Sequence, residues 1–249
     1  MPGWLAAGWW GLVAGGALVV GAAIAWWVRV PPRVVAAVMA FGAGVLISAL
    51  AFDLVDEAEQ AGGLLAVALG FLGGAGAYVA ANVALARRGA RHRKRSDRQP
   101  SEEQDQGSGA AIAIGALLDG IPESVVLGVS LLGGSGVGLP VLAAVFISNL
   151  PEGLSSAAGM KQAGRSARYV FGVWIGIAVM SGLAACIGYL ALADASPFVI
   201  AVITAVAAGA ILTMIADTMV PEAFERTHVL TGMITTVGFL TAFAIERMS

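Results

Sequence analysis

The sequence predicts an all-α integral membrane protein of eight transmembrane helices, and three observations carry that prediction: overall apolarity, the length of the apolar blocks, and the placement of the basic residues. Of 249 residues, 58% are hydrophobic and 12% charged, where a soluble domain carries roughly 25% charged residues. A water-soluble fold could not hide that much apolar surface. The apolar residues gather in blocks of about 20, the number needed to cross a hydrocarbon core about 30 Å thick. Net charge is only −2, which gives no reason to expect a nucleic-acid partner. The partner that composition does imply is the lipid bilayer.

Taken in order, the predicted helices cover 4–28, 34–55, 62–86, 109–131, 138–160, 168–193, 198–220 and 229–246. The first has no basic residue before it and no cleavage site, so it is expected to span the membrane and not to be a removed signal peptide. Its tryptophans, Trp4, Trp9, Trp10, Trp26 and Trp27, sit where interfacial aromatic anchors belong. Arg29 to Arg33, with Pro31 and Pro32 between them, separates helices 1 and 2. The polar segment 87–108 separates helices 3 and 4 and is expected to be a mobile cytoplasmic loop. The turn Gly133-Gly134-Ser135-Gly136 ends helix 4, and Asp194 to Pro197 lies between helices 6 and 7. The whole chain, 1–249, is expected to form one transmembrane domain.

Basic residues orient this arrangement, because Lys and Arg near helix ends are retained on the cytoplasmic side. Eight crossings with 87–108 inside also put 29–33, 161–168 and 221–228 inside. Of the 14 Lys and Arg residues, 13 fall in those four segments, and only Arg247 lies elsewhere. A wrong helix count would scatter them. The expected location is the cell membrane, multi-pass, with both termini extracytoplasmic.

Two internal repeats are visible. Residues 44–58 align with 209–223 at a constant offset of 165, each stretch ending in Glu-Ala, with Ser48 opposite Thr213. By the topology above, helix 2 runs outward and helix 7 inward. Helices 1–3 and 6–8 are therefore expected to be inverted repeats around helices 4 and 5, a 3+2+3 plan that transporters use around a midplane site. The second repeat is sharper: Leu118-Asp119-Gly120-Ile121-Pro122-Glu123-Ser124 recurs as Ile147-Ser148-Asn149-Leu150-Pro151-Glu152-Gly153.

That second repeat carries the candidate chemistry. An ionised carboxylate at the bilayer centre costs about 2.5–3.5 kcal/mol on insertion scales, so it requires a partner or a purpose. Asp119 and Glu123 are four residues apart and share one face of helix 4. Ser148, Asn149 and Glu152 do the same on helix 5, and Ser155 and Ser156 extend that polar stripe. Pro122 and Pro151 lack backbone N–H groups, which frees the carbonyls of Leu118 and Ile147. In lipid, such carbonyls are satisfied by a neighbour, a water or a cation. Carboxylates, an amide, hydroxyls and carbonyls form a hard oxygen environment suited to a divalent cation.

At these residues the sequence resembles the ZIP (Zrt/Irt-like) family of divalent-metal transporters, whose helices 4 and 5 carry a His-Asn-x-Pro-Glu-Gly pattern. The matching stretches are Asp119 to Ser124 and Ser148 to Gly153. The resemblance covers the helix count, the polar loop after helix 3 and the acidic ends of helices 2 and 7. It implies transport of zinc or a related metal, in the direction of import. It also implies metal ligation by Glu123, Glu152 and Asn149, with Asp119 in place of the helix 4 histidine and Ser148 in place of a helix 5 ligand. Gly120 stands where the family has asparagine, and no acidic residue lies near Ser181 to match the family's helix 6 carboxylate. Zinc favours nitrogen and sulfur ligands, and this core offers oxygen alone. A shift toward Mn²⁺, Fe²⁺ or Cd²⁺ is therefore expected relative to members that keep the histidines.

Asp53 and Asp217, near the ends of helices 2 and 7, are expected to be further metal ligands at the ends of the pathway. Asp56, Glu57 and Glu59 are expected outside the membrane, where they attract cations. His92 and His228 are the only histidines, both in cytoplasmic segments, and Cys186 is the only cysteine. No prosthetic group is implied, the metal being cargo. Glycine-rich faces suit close helix packing and allow a homodimer without specifying one. The rival readings are a non-transporting metal sensor, a carrier of another cation, and an intramembrane hydrolase, the last of which would want a membrane-embedded histidine. Catalysis is not expected.

Overall fold

Helical periodicity dominates from end to end in the computed structural model, which describes residues 1–87, 108–132 and 139–248. The described residues contain no strand. The elements are α1 (Gly3–Trp27), α2 (Pro32–Ala49), α3 (Val55–Ala86), α4 (Ser108–Ser130), α5 (Leu139–Gln162), α6 (Ala167–Leu192), α7 (Pro197–Met214), α8 (Val220–Thr227) and α9 (Leu230–Met248). Two π-helical turns, Leu50–Leu54 and Ile215–Met219, join α2 to α3 and α7 to α8 without a loop. Most of the 87–108 loop and the Gly133 to Gly136 turn lie outside the described residues.

Among the described residues, six helical stretches are long and apolar enough to cross a membrane: Gly3–Trp27, Pro32–Ala86, Ala110–Ser130, Val141–Gln162, Ala167–Leu192 and Pro197–Thr227. With many large apolar side chains on the outer surface, Leu64, Leu65, Leu69 and Leu72 among them, the molecule has the character of a multi-pass membrane protein. Eight such helices are expected from the sequence, and the number found differs from that at two places. Pro32–Ala86 is 55 residues long, but its helical path is interrupted at Gly63, whose φ of 73° and ψ of 173° leave the helical region. The expected break thus comes at one glycine and not over a loop, and the acidic stretch Asp56 to Glu59 is helical. At the other end, α9 carries four threonines together with Glu246 and Arg247, which lower its hydropathy. The stretch 221–228, expected as a loop, is also mostly helical, as α8.

The boundaries recur at one spacing. Pro32 and Pro197 open α2 and α7, Ala49 and Met214 close them, and the two π turns begin at Leu50 and Ile215. α3 and α8 start at Val55 and Val220, and each is broken by a residue of positive φ, Gly63 and His228. Every pair is 165 positions apart, and so are Trp27 and Leu192, the last residues of α1 and α6. The sequence match covers 15 residues; the backbone extends it from Pro32 to Gly63 in one half and from Pro197 to His228 in the other.

Contacts between neighbours give their relative directions. α1 and α5 run parallel, with Asn149 bonded to Ala14 and Lys161 to Trp26. α2 and α9 also run parallel, Gly44 meeting Thr235 and Phe52 stacking against Phe239 and Phe243. So do α3 beyond Gly63 and α7 (Gly70 at Ala205, Phe71 at Gly209), and α4 and α6 (Gly120 at Ser181, Gly128 at Ala185). α1 and α6 are antiparallel, Gly11 lying against Ala185 and Gly15 against Ala178. α2 and α5 are antiparallel as well: Gly42 packs on Ser148, while Val35 shares one cavity with Leu154 and Ala158. α5 is the innermost span, 72% of its most apolar window being buried against 39% for α6.

Candidate metal pathway between α4 and α5

Small residues bring α5 to the centre of the bundle. A Cβ added to Gly153 would collide with the Leu18 carbonyl of α1, and one added to Gly21 with the Leu150 carbonyl of α5. The two backbones are therefore in contact, and only glycine at both positions allows it. On the opposite flank, Gly42 of α2 packs against Ser148 and Pro151. Pro151 to Ala157 is buried without interruption. Both proline-bearing segments remain within continuous helices, α4 with Pro122 and α5 with Pro151.

The polar residues singled out from sequence on these two helices are all buried. Asp119 is 1% exposed, Glu123 2%, Ser148 0%, Asn149 4% and Glu152 6%, with Ser155 and Ser156 at 0% and 2%. Burial at this level in an apolar bundle means that each polar atom must find a partner inside the protein or a bound guest. Several partners are internal. Ser148 donates to the Val145 carbonyl at 3.0 Å, and Ser124 to the Gly120 carbonyl at 2.6 Å. The Asn149 amide nitrogen donates to the Ala14 carbonyl at 3.0 Å, so the amide oxygen is the atom left to accept a proton or meet a cation.

One important partner was not foreseen from the sequence. Tyr78 of α3, 2% exposed, donates its hydroxyl to Asp119 Oδ1 at 2.5 Å. A short bond from a phenol to a carboxylate orients that carboxylate and offsets part of its desolvation. The available signal was weak, a lone tyrosine in a glycine-rich apolar helix, and only packing reveals which residue it meets. Ser181 of α6, the position where no acidic counterpart was found, lies beside Gly120 and is itself buried.

Glu123 borders a small cavity of about 10 Å³ among α2, α4, α5 and α7, whose other lining residues include Leu50, Leu54, Val126 and Val141. That volume is about the size of a single water. Ser48 of α2 is 1% exposed, and its hydroxyl makes no hydrogen bond. Thr213, its repeat counterpart, donates to the Gly209 carbonyl at 2.8 Å, as an isolated helical threonine does.

The outlying acidic residues behave differently from one another. Asp53 is half-buried in the first π turn, with Glu246 of α9 and Glu57 as its electrostatic neighbours. Asp217, in the second π turn, is exposed. Neither lines the cavity beside Glu123. Among the described residues, no three of His, Cys, Asp and Glu form a group able to hold a metal ion. His228 is exposed between α8 and α9, and Cys186 is half-buried on α6. No protein-family model matches the chain, and no curated protein matches it.

Proposed function

We propose that this protein carries divalent metal cations across the membrane through a centre between α4 and α5, in the manner of the ZIP family. The observation that carries the reading is the burial of Asp119, Glu123, Asn149 and Glu152 on two helices of an otherwise apolar bundle. Buried carboxylates in a membrane are costly to retain, and two copies of one Pro-Glu pattern double that cost. An all-oxygen donor set with few charged ligands suits a passing ion better than a resident one. It favours Mn²⁺, Fe²⁺ or Cd²⁺ more than a histidine site would; zinc is the metal the resemblance implies.

In this proposal the chain crosses eight times, α1, α2 and α3 beyond Gly63 forming one inverted repeat and α6, α7 and α9 the other. The 165-residue recurrence of boundaries supports it. The packing directions support it too, since an alternating eight-span chain requires spans 1 and 5, 2 and 8, 3 and 7, and 4 and 6 to be parallel, and 1 and 6, and 2 and 5, to be antiparallel. All six pairs described above have the required sense. Lys and Arg placement then puts both termini outside the cytoplasm, and movement of one repeat against the other would expose the centre alternately to each side.

The test is metal flux into proteoliposomes over a panel of Zn²⁺, Mn²⁺, Fe²⁺ and Cd²⁺, with the parent, Glu123→Ala and Glu152→Ala, all checked for folding by size-exclusion chromatography. The parent should transport, and each folded variant should lose at least about tenfold in flux, the loss of roughly 1.4 kcal/mol of ion binding. Binding without flux would indicate a sensor, hydrolysis without flux an enzyme, and undiminished flux in both variants would remove the centre from the pathway.

A further inference from the structure

A cavity far wider than the one that Glu123 borders lies away from the carboxylates. At the ends of α1 and α5 nearest Lys161, and at the start of α2, the helices part around a space of about 480 Å³, within the roughly 300–1,000 Å³ of small-molecule sites. Its lining is divided. Arg29, Lys161 and Gln162 supply two cations and an amide, while Val28, Val35 and Leu154 stand for an otherwise apolar wall. Among the described residues, no acidic residue lines it, so a divalent cation would meet repulsion there and not ligation.

Lys161 is fixed at this rim. Its ammonium donates to the Trp26 carbonyl at 2.5 Å and lies 5.2 Å from the centroid of the Trp26 ring. An ammonium has three donors, so the bond to Trp26 leaves capacity for an anionic oxygen. The adjacent Trp27 is 73% exposed, as expected of an aromatic residue at the depth of lipid headgroups. A cationic rim above an apolar wall at that depth is complementary to an amphiphile with an anionic head. A free anion would satisfy the rim but leave the wall uncovered.

We infer that this cavity binds an anionic phospholipid, its phosphate held between Arg29 and Lys161 and its upper acyl carbons lying on Val28, Val35 and Leu154. The inference goes beyond metal transport and does not depend on it. Basic pockets between spans on the cytoplasmic side bind acidic headgroups by this same charge complementarity.

The experiment uses the full chain, delipidated in neutral detergent. Phosphatidylglycerol, phosphatidylcholine and inorganic phosphate are titrated separately, with bound lipid read by native mass spectrometry and stability by thermal shift. Phosphatidylglycerol should be retained and should raise the melting temperature, whereas phosphatidylcholine and phosphate should not. Arg29→Gln and Lys161→Gln should each weaken phosphatidylglycerol binding about fivefold, the worth of one basic residue near an anionic headgroup. Lys161→Arg, which keeps the charge, should retain binding, and Arg226→Gln on α8 should not alter it. Equal binding of the two lipids, an unchanged Arg29→Gln variant, or a shift fully reproduced by inorganic phosphate would each overturn the lipid assignment.

Discussion

The first π-bearing helix, α2 running through Leu50–Leu54 into α3, and the second, α7 running through Ile215–Met219 into α8, share their backbone plan residue for residue at an offset of 165. They do not share their chemistry. In the first π turn the acidic side chain is Asp53, half-buried with Glu57 and Glu246 as neighbours; in the second it is Asp217, one position out of register and exposed. The position equivalent to Asp53 is Thr218, whose hydroxyl is spent on the Met214 carbonyl at 2.7 Å. A π turn inserts one extra residue into the helical repeat and re-aims the side chains beyond it. The backbone device is common to both halves, and each half aims a different residue with it.

Four measurements would sharpen or break this comparison. The largest effects are expected at the paired close approaches. A Cβ at Gly44 would collide with the Thr235 carbonyl of α9, and one at Gly209 with the Phe71 carbonyl of α3. Gly44→Leu and Gly209→Leu should each destabilise the purified protein by about 3 kcal/mol or more, at the upper end of overpacking, as read by thermal melts in detergent. A large loss in one and none in the other would break the structural equivalence.

Next in size is the functional asymmetry. Asp53→Asn should lower metal flux at subsaturating concentration by about tenfold, by loss of a cation-attracting charge in a partly buried setting. Asp217→Asn should stay within about twofold, since an exposed charge is screened by water and salt. Equal losses would mean that both π turns line the pathway.

The two backbone breaks differ by about 1 kcal/mol in the other direction. Gly63 holds φ 73° at no steric cost, whereas His228 holds φ 47° and ψ −122° with a side chain attached. Positive φ costs a non-glycine residue roughly 1–2 kcal/mol. His228→Gly should therefore raise the melting temperature and Gly63→Ala lower it. The smallest effect is expected at Thr218→Val, which removes one helix-internal hydrogen bond and should cost no more than about 0.5–1 kcal/mol in stability.

Much of the architecture was legible because it depends on local composition. The apolar blocks, the prolines at helix starts, Pro32 and Pro197, and the Pro-Glu motifs each act over one or two helical turns, and the corresponding helices are where they were expected. Other features were not legible. The sequence around 55–62 is acidic and looks like a loop, yet α3 continues through it, because helix ends here are decided by the conformation of one residue, Gly63. The π turns left no recognisable mark, as i→i+5 bonding has no composition of its own.

At the candidate site the division is similar. Sequence alone determined which helices carry buried carboxylates, because an ionisable residue in a twenty-residue apolar block is conspicuous whatever surrounds it. Only the tertiary structure decided that Tyr78 holds Asp119, that Asn149 is tied to α1, that Asp53 and Asp217 part company, and that Arg29 and Lys161 line one cavity. Those facts depend on which surfaces meet across more than forty residues of chain, and an apolar helix has many nearly equivalent faces to offer. Packing chooses among them, through glycines small enough to let two backbones touch.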